Sequence, residues 1–257
     1  MDRGLTIVIP TFNTASMTLG CCRAVLASMP ASTEVIVVDD GSTDGTASIM
    51  PAEARVVRLD ANRGFATAAN RGVAEARGEI ILLLNSDAIV QAGALQAFVD
   101  AFASDARLGV AGAQLLNEDG TPQWSGGRTP TLAWMAAAVS GLGRHAKRFR
   151  RNNGPRKIDW VSGAAMAFRR EVWNVAGPLN ERFLFYCQDI EFCLRASNAG
   201  WNVRVIDDAR VVHGLGKTIG GQDRETMRRD LLTWGKSYYG RAWWLFARVV
   251  LRVFRRT

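Results

Sequence analysis

The sequence predicts an α/β fold whose first half is built on a mainly parallel sheet. Three observations carry this. Short β-branched apolar runs alternate with segments of helical composition over the first 115 residues. Several of those runs are apolar without alternation, as strands are when helices cover both faces of a sheet. The chain of 257 residues, 48% hydrophobic and 22% charged, has ordinary globular composition and ample length for a core.

The elements follow in order. The first strand is TIVIP from Thr6, and a helix is predicted over 15–29. EVIVVDD from Glu34 is the second strand, followed by a short helical stretch at 46–50. RVVRL from Arg55 leads to a helix at 65–76, and EIILLLN from Glu79 leads to one at 93–103. GVAGAQL from Gly109 is the fifth strand. Right-handed βαβ units follow from this order. All eight tryptophans and all three tyrosines lie beyond residue 120. That half either handles a ligand with flat apolar faces, such as a sugar, or supplies a large aromatic core. With no internal repeat and no low-complexity linker, the division is 1–115, 116–235 and a tail at 236–257, the first two sharing one core.

The N-terminus MDRGLTIVIP lacks the layout of a signal peptide, and no run of about 20 apolar residues is present to span a bilayer. The expectation is a cytoplasmic chain whose four cysteines (Cys21, Cys22, Cys187, Cys193) stay reduced. The net charge of +8 is local. Residues 144–157 carry seven Lys/Arg and 236–257 carry six, with no acid in either; the remaining 19 basic against 24 acidic residues leave the body near −5. Such clustering predicts an anionic surface as partner. Nucleic acid is not the expected partner, because the basic residues are confined to two segments and no nucleic-acid module is present.

In an open parallel sheet, ligands bind beyond the carboxyl ends of the strands. Here those ends carry Pro10-Thr11-Phe12-Asn13, Asp39-Asp40-Gly41-Ser42, Asn62-Arg63-Gly64-Phe65 and Asn85-Ser86-Asp87. One such cluster is ordinary helix capping, whereas four on one edge predict a ligand site. The GxGxxG and GxxxxGK[ST] fingerprints are absent, which weighs against NAD enzymes and P-loop NTPases. Residues 39–45 have no Glu at a twelfth position and so make no EF-hand. Carboxylates at this edge suit a divalent cation shared with phosphate oxygens, Asp87 foremost, and Asp40 suits a base or ribose. In the second half, Asp189 and Glu191 follow the run Phe183-Leu184-Phe185-Tyr186-Cys187 and open a helix at 190–198. They either complement the helix dipole or supply a partly desolvated general base. His213 ends the strand-like Val211-Val212 and is either structural or a ligand.

The ordered motifs IVIPTFN, VVDDGSTDGT, NRGFATAANRG, LLLNSD, WVSGAAMAFRR, FLFYCQDIEFCLRASNAGW and VVHGLGKT resemble an inverting, GT-A-fold glycosyltransferase of family 2, over residues 5–218. Within the family the chain is most similar to the rhamnosyltransferase-like bacterial branch. The resemblance implies a GT-A fold: a Rossmann-like nucleotide-sugar-binding half fused to an acceptor-binding half. It implies that Pro10, Thr11, Asn13 and Asp40 hold base and ribose, and that Asn62 and Gly64 lie against the donor. Asn85-Ser86-Asp87 takes the place of the DxD motif, so Mg²⁺ or Mn²⁺ falls to Asp87 and His213. Asp189 takes the place of the catalytic base, with Trp160, Gly163 and Gln188 on the acceptor side. The implied donor is a UDP- or dTDP-sugar, and the implied acceptor a cell-surface glycan or lipid-linked hydroxyl. Two positions depart from the family pattern: Asn85 replaces the first acid of DxD, and Gln188 replaces the acid before the base. These departures support an alternative, a nucleotide-sugar-binding protein without catalysis. The QxxRW motif of processive synthases is absent, which favours transfer of a single sugar.

The tail 241–256 reads RAWWLFARVVLRVFRR. At about 100° per residue, Arg241, Arg248, Arg252, Arg255 and Arg256 share one stripe about 100° wide, with apolar residues over most of the rest. This predicts an amphipathic C-terminal helix lying on an anionic membrane, on the inner face of the cytoplasmic membrane. The alternative is a core or dimer helix whose arginines face solvent.

Overall fold

A computed structural model gives the architecture and describes residues 4–129, 131, 158–214 and 224–254. In chain order the first elements are β1 (Leu5–Thr11), α1 (Ala15–Ser28), β2 (Glu34–Asp39), a 3₁₀ turn (Thr46–Ile49), β3 (Ala54–Arg58), α2 (Phe65–Glu75) and β4 (Ile80–Leu84). Then come β5 (Ala88–Val90), α3 (Ala94–Ser104), β6 (Leu108–Leu116), β7 (Gly126–Gly127), β8 (Trp160–Val161) and β9 (Ala165–Arg169). The chain continues through α4 (Arg170–Ala176), α5 (Gln188–Asn198), β10 (Asn202–His213) and α6 (Arg224–Phe254).

Eight strands form one sheet in the order β3-β2-β1-β4-β9-β6-β10-β5, and β7 pairs with β8 beside it. The order β3-β2-β1-β4 is fully parallel, so the chain reverses direction across the sheet between β1 and β4 and leaves a crevice at their carboxyl ends. β1 and β4 are buried along their whole length, which explains runs with no polar face. Alternate residues face two separate apolar layers. Val8, Ile36 and Leu83 pack with α2, α4, α5 and part of α6. Ile7, Ile9 and Leu82 pack with α1 and α3. α2 lies so close to the sheet that a Cβ on Gly72 would stand 2.3 Å from Val8 Cγ1.

The second half joins the same sheet. β9 runs antiparallel between β4 and β6, so the parallel first half becomes mixed there. Arg169, buried at its end, donates to the carbonyls of Phe102, Asp105 and Leu108 at 2.6–3.0 Å and locks the two halves together. β10, twelve residues long, runs parallel to β6 from Asn202 to Val212, with a register shift between Ile206 and Arg210, and carries His213 to the ligand edge. All four cysteines are free and buried. The described tryptophans include core members and one pair beside the ligand edge. Trp173 stacks on Phe168 at 5.3 Å and touches Phe192 inside the core, while Trp124 and Trp160 meet edge-to-face at 4.5 Å beside the ligand edge.

The C-terminal helix begins at Arg224, well before the expected tail, and is broken at Gly240 (φ 74°, ψ −164°). Trp234 and Trp243 are 1% and 2% exposed and belong to the core, so part of the tail's apolar surface packs on the body. Leu245 and Phe246 are exposed. The basic segment 144–157 and Arg255 and Arg256 lie outside the described residues. Among the described residues no helix is long and apolar enough to cross a membrane.

Candidate active site

Two clefts open at the carboxyl edge of the sheet and meet at Phe65, Asn85 and Phe185. The first is lined by Pro10, Thr11, Asp40, Asn62, Gly64, Asn85 and Ser86, with Phe12 as an exposed apolar wall. The second, of about 660 Å³, is lined by Trp124, Trp160, Gly163, Gln188, Asp189 and His213, among others. That size suits a small organic ligand or a sugar. Phe65 and Phe185 meet edge-on at 6.1 Å where the clefts join.

The first cleft is held in shape by side chain to backbone bonds. Asp40 accepts the N–H of Arg63 at 2.7 Å on Oδ1 and of Gly64 at 2.8 Å on Oδ2, fixing the loop that enters α2. Burial pushes the Asp40 carboxyl above its ordinary value, and those two N–H groups pull it back in part. Thr11, Thr14 and Thr18 share a buried hydroxyl cluster at 2.7–3.0 Å, and Thr14 donates to Ser86 at 3.2 Å. Asn13 is placed outside the lining. Its Oδ1 accepts the N–H of Thr43 and its own N–H donates to Ser42 Oγ, both at 2.9 Å, so it latches the loop after β1 to the loop after β2. Its φ of 51° is the left-handed conformation that Asn tolerates better than most residues.

Asp189 opens α5 at the floor of the second cleft. Its Oδ2 accepts the N–H of Gly163 at 2.9 Å and its Oδ1 accepts the N–H of Ile190 at 2.8 Å. Desolvation outweighs these bonds and pushes its carboxyl above the usual range. That is the state of a carboxylate ready to take a proton. Gln188 lies buried with its amide 3.4 Å from the carbonyl of Phe183. Trp160 donates its indole N–H to the carbonyl of Arg128 at 3.0 Å, which sets the plane of its ring. Glu191 pairs instead with Arg195 at 2.8 Å on the same helix.

Asp87 is buried and lines neither cleft itself, and neither of its side-chain oxygens has a hydrogen-bond partner. His213 Nε2 lies 3.4 Å from its Oδ1. Burial pushes the imidazole below its ordinary value, against the opposing pull of Asp87. Gln123, which sequence reasoning missed, sits behind the ring. Its amide nitrogen donates to the carbonyl of His213 and to Asn117 Oδ1, both at 3.1 Å, so its Oε1 faces His213 Nδ1 at 2.9 Å. The network therefore assigns the proton to Nδ1 and leaves Nε2 an acceptor, to which Asn85 Nδ2 donates at 3.2 Å. Orphaned buried carboxylate oxygens beside an unprotonated imidazole nitrogen fit a divalent cation, which would take the place of the Asn85 hydrogen bond. Among the described residues no third His, Cys, Asp or Glu joins them, so further ligands would have to come from a bound anion or water. Nothing in the sequence near Gln123 signals its place, since the histidine is 90 residues away.

The family model described as "Glycosyl transferase family 2" matches residues 6–175. An uncharacterized protein of Sinorhizobium fredii is 29% identical over 258 residues, covering 93% of this chain and 27% of that one. The succinoglycan biosynthesis protein ExoO of Rhizobium meliloti is 33% identical over 121 residues, covering 45% of this chain and 35% of its own length. The chain thus spans about a third or less of these relatives. Among solved structures, the mannosyltransferase PcManGT of Pyrobaculum calidifontis, in complex with GDP-mannose and Mn²⁺, superimposes with a TM-score of 0.60 at 19% identity. That match covers 98% of this chain and 73% of the other, and it shows likeness of fold.

Proposed function

The chain belongs to glycosyl transferase family 2 and has the GT-A fold, and from that premise we propose that it transfers one sugar from a nucleoside-diphosphate sugar to a hydroxyl acceptor, with inversion at the anomeric carbon. The observation that carries this reading is Asp189: a carboxylate fixed by two backbone N–H bonds, raised in pKa by burial, in a cleft that opens into a second one. The donor occupies the cleft of Pro10, Thr11, Asp40, Asn62, Gly64, Asn85 and Ser86. The acceptor occupies the cleft of Trp160, Gly163, Gln188 and Asp189. Residues 1–115 supply most of the first lining and residues 116–235 most of the second, which supports the division into donor and acceptor halves.

Asp189 takes the acceptor's hydroxyl proton as that oxygen bonds to the anomeric carbon and the bond from that carbon to the diphosphate breaks. A base of this kind contributes about 10²–10⁴-fold. Asp40 keeps the 62–64 loop against the donor. Phe65 and Phe185 flank the junction through which acceptor and donor meet. Asp87 and His213 would hold Mg²⁺ or Mn²⁺, which when bound neutralises the leaving diphosphate. The Mn²⁺ and GDP-mannose of the archaeal neighbour support a metal and a nucleotide-sugar donor. We place the acceptor on a glycan or lipid carrier at the inner face of the cytoplasmic membrane. The exposed Leu245 and Phe246 support that placement, as does the relative named for succinoglycan biosynthesis.

The test is release of nucleoside diphosphate from UDP-glucose, dTDP-rhamnose and GDP-mannose, with Mn²⁺ present. One of these donors is expected to be hydrolysed slowly, and Asp189→Asn to lower that rate about 10²-fold. Tight donor binding with no hydrolysis or transfer in the wild type would instead identify a binding protein.

A further inference from the structure

Asp230, on α6, has no exposure to solvent. Its carboxylate takes the backbone N–H groups of three consecutive residues: Leu184 at 3.1 Å on Oδ1, and Phe185 at 2.9 Å and Tyr186 at 2.8 Å on Oδ2. These residues belong to no helix or strand, so they have no ladder of their own to satisfy those donors. Successive N–H groups turned onto one anion form a charge-assisted nest. The next residue, Cys187, holds φ 72° and ψ −3°. A non-glycine residue keeps that left-handed conformation only where its surroundings fix it. It is the N-cap of α5, and Asp189 follows in the first turn.

The clamp lies close to the chemistry. Phe185 lines both clefts, and α6 lines the second with Met227 and Leu231, the latter adjacent to Asp230. Leu231 and Trp234 are 5% and 1% exposed and pack in the same core as Phe183, Cys187 and Ile190. The side of α6 that carries Asp230 is thereby seated.

We propose that Asp230 is a positioning residue for the reaction: by fastening Leu184, Phe185 and Tyr186 to α6 it sets the entry of α5 and so the place of the Asp189 carboxylate. The proposal rests on Asp189 being the base. A displacement of about 1 Å at a reacting group costs on the order of 10²-fold in rate, so a clamp three residues upstream acts on turnover without touching substrate.

The experiment is a double-mutant cycle in the full chain, read by hydrolysis of whichever of UDP-glucose, dTDP-rhamnose and GDP-mannose the wild type turns over fastest. Asp230→Ala removes the acceptors, and Asp230→Asn keeps the shape but places an NH₂ against a donor. The expected result is a kcat loss of about 10²-fold for Asp230→Ala and less for Asp230→Asn. In the Asp189→Asn background neither change costs anything further, because there is no base left to position. Hydrogen exchange gives a readout that needs no turnover and serves where Asp230→Ala does not fold. The amides of Leu184, Phe185 and Tyr186 exchange slowly in the wild type and faster in Asp230→Asn. Additive losses in the double mutants, or fast exchange of these amides in the wild type, would overturn the proposal alone. An unchanged rate in Asp189→Asn by itself would remove the base assignment, and this proposal with it.

Discussion

The unprotonated Nε2 of His213 stands 3.4 Å from Asp87 Oδ1, two acceptors with no hydrogen between them. Gln123 enforces this by accepting, on Oε1, the hydrogen bond of the ring's only N–H, at Nδ1. Partners of this kind behind a metal-binding histidine are worth about 10–100-fold in affinity. Gln123→Leu is therefore expected to weaken Mn²⁺ binding, in the presence of UDP or GDP, by about that factor in a calorimetric titration. Unchanged affinity would show that the ring needs no such support.

Asp189 titrates above the ordinary Asp range because it is desolvated. The proposed base must be ionised to act, so hydrolysis and transfer are expected to be lost as pH falls through that raised pKa. The acid limb of the rate profile should lie clearly above the unperturbed value of about 3.9. The stability link has the opposite sense. The folded state binds this proton more tightly than the unfolded one, so stability declines as pH rises from the unfolded to the folded pKa. Asp189→Asn should accordingly melt no lower than the wild type at pH 7 while losing about 10²-fold in rate. A lower melting temperature would mean that its bonds to Gly163 and Ile190 outweigh the desolvation.

Asp40→Ala orphans the N–H groups of Arg63 and Gly64. The loop is partly exposed and water replaces some of what is lost, so an effect near the low end of about 1–3 kcal/mol is expected. Nucleotide titration should show about tenfold weaker binding, with kcat at saturating donor largely kept. A fall in kcat with unchanged binding would move Asp40 from the donor side to the chemistry.

Gly72→Ala sets two effects against each other. Alanine gains about 1 kcal/mol in helix propensity. The new Cβ, however, meets Val8 Cγ1 at 2.3 Å and Val38 Cγ2 at 2.8 Å, where α2 lies on the sheet. Overpacking of about 1–3 kcal/mol should win, and the urea midpoint should fall. A higher midpoint would show that α2 can shift outward freely.

The tail is tested by two changes that the structure separates. Trp243→Ala should cost about 3–5 kcal/mol, because that ring is core. Deleting 247–257 spares it. The intact chain should bind vesicles containing anionic lipid, more weakly in high salt, and the deletion should remove most of that binding while leaving donor hydrolysis unchanged. Equal vesicle binding by the deleted chain would place the contact elsewhere.

The sequence by itself determined the parallel first half and the polar residues at its edge. Each signal there is local: an apolar run such as IILLL marks a strand covered on both faces, and Asn or Asp directly after it marks the turn into the ligand edge. It also supplied Asp189, Asp87 and His213 through ordered motifs. It did not reveal most of β10, because Asp207-Asp208 interrupt the apolar pattern where the strand shifts register against β6. Nor did it show that β9 would insert antiparallel, since pairing direction depends on where the chain returns. It read the tail as a separate amphipathic helix, whereas Trp243 is buried and Asp230 on the same helix grips the loop before Asp189. Only the tertiary structure decided that Gln123 sets the protonation of His213 and that Asp230 clamps residues 44–46 positions upstream. The physical reason is common to both. A hydrogen bond between residues far apart in the chain leaves no periodicity in either segment, and a lone Gln or Asp looks like surface until the fold buries it against its partner.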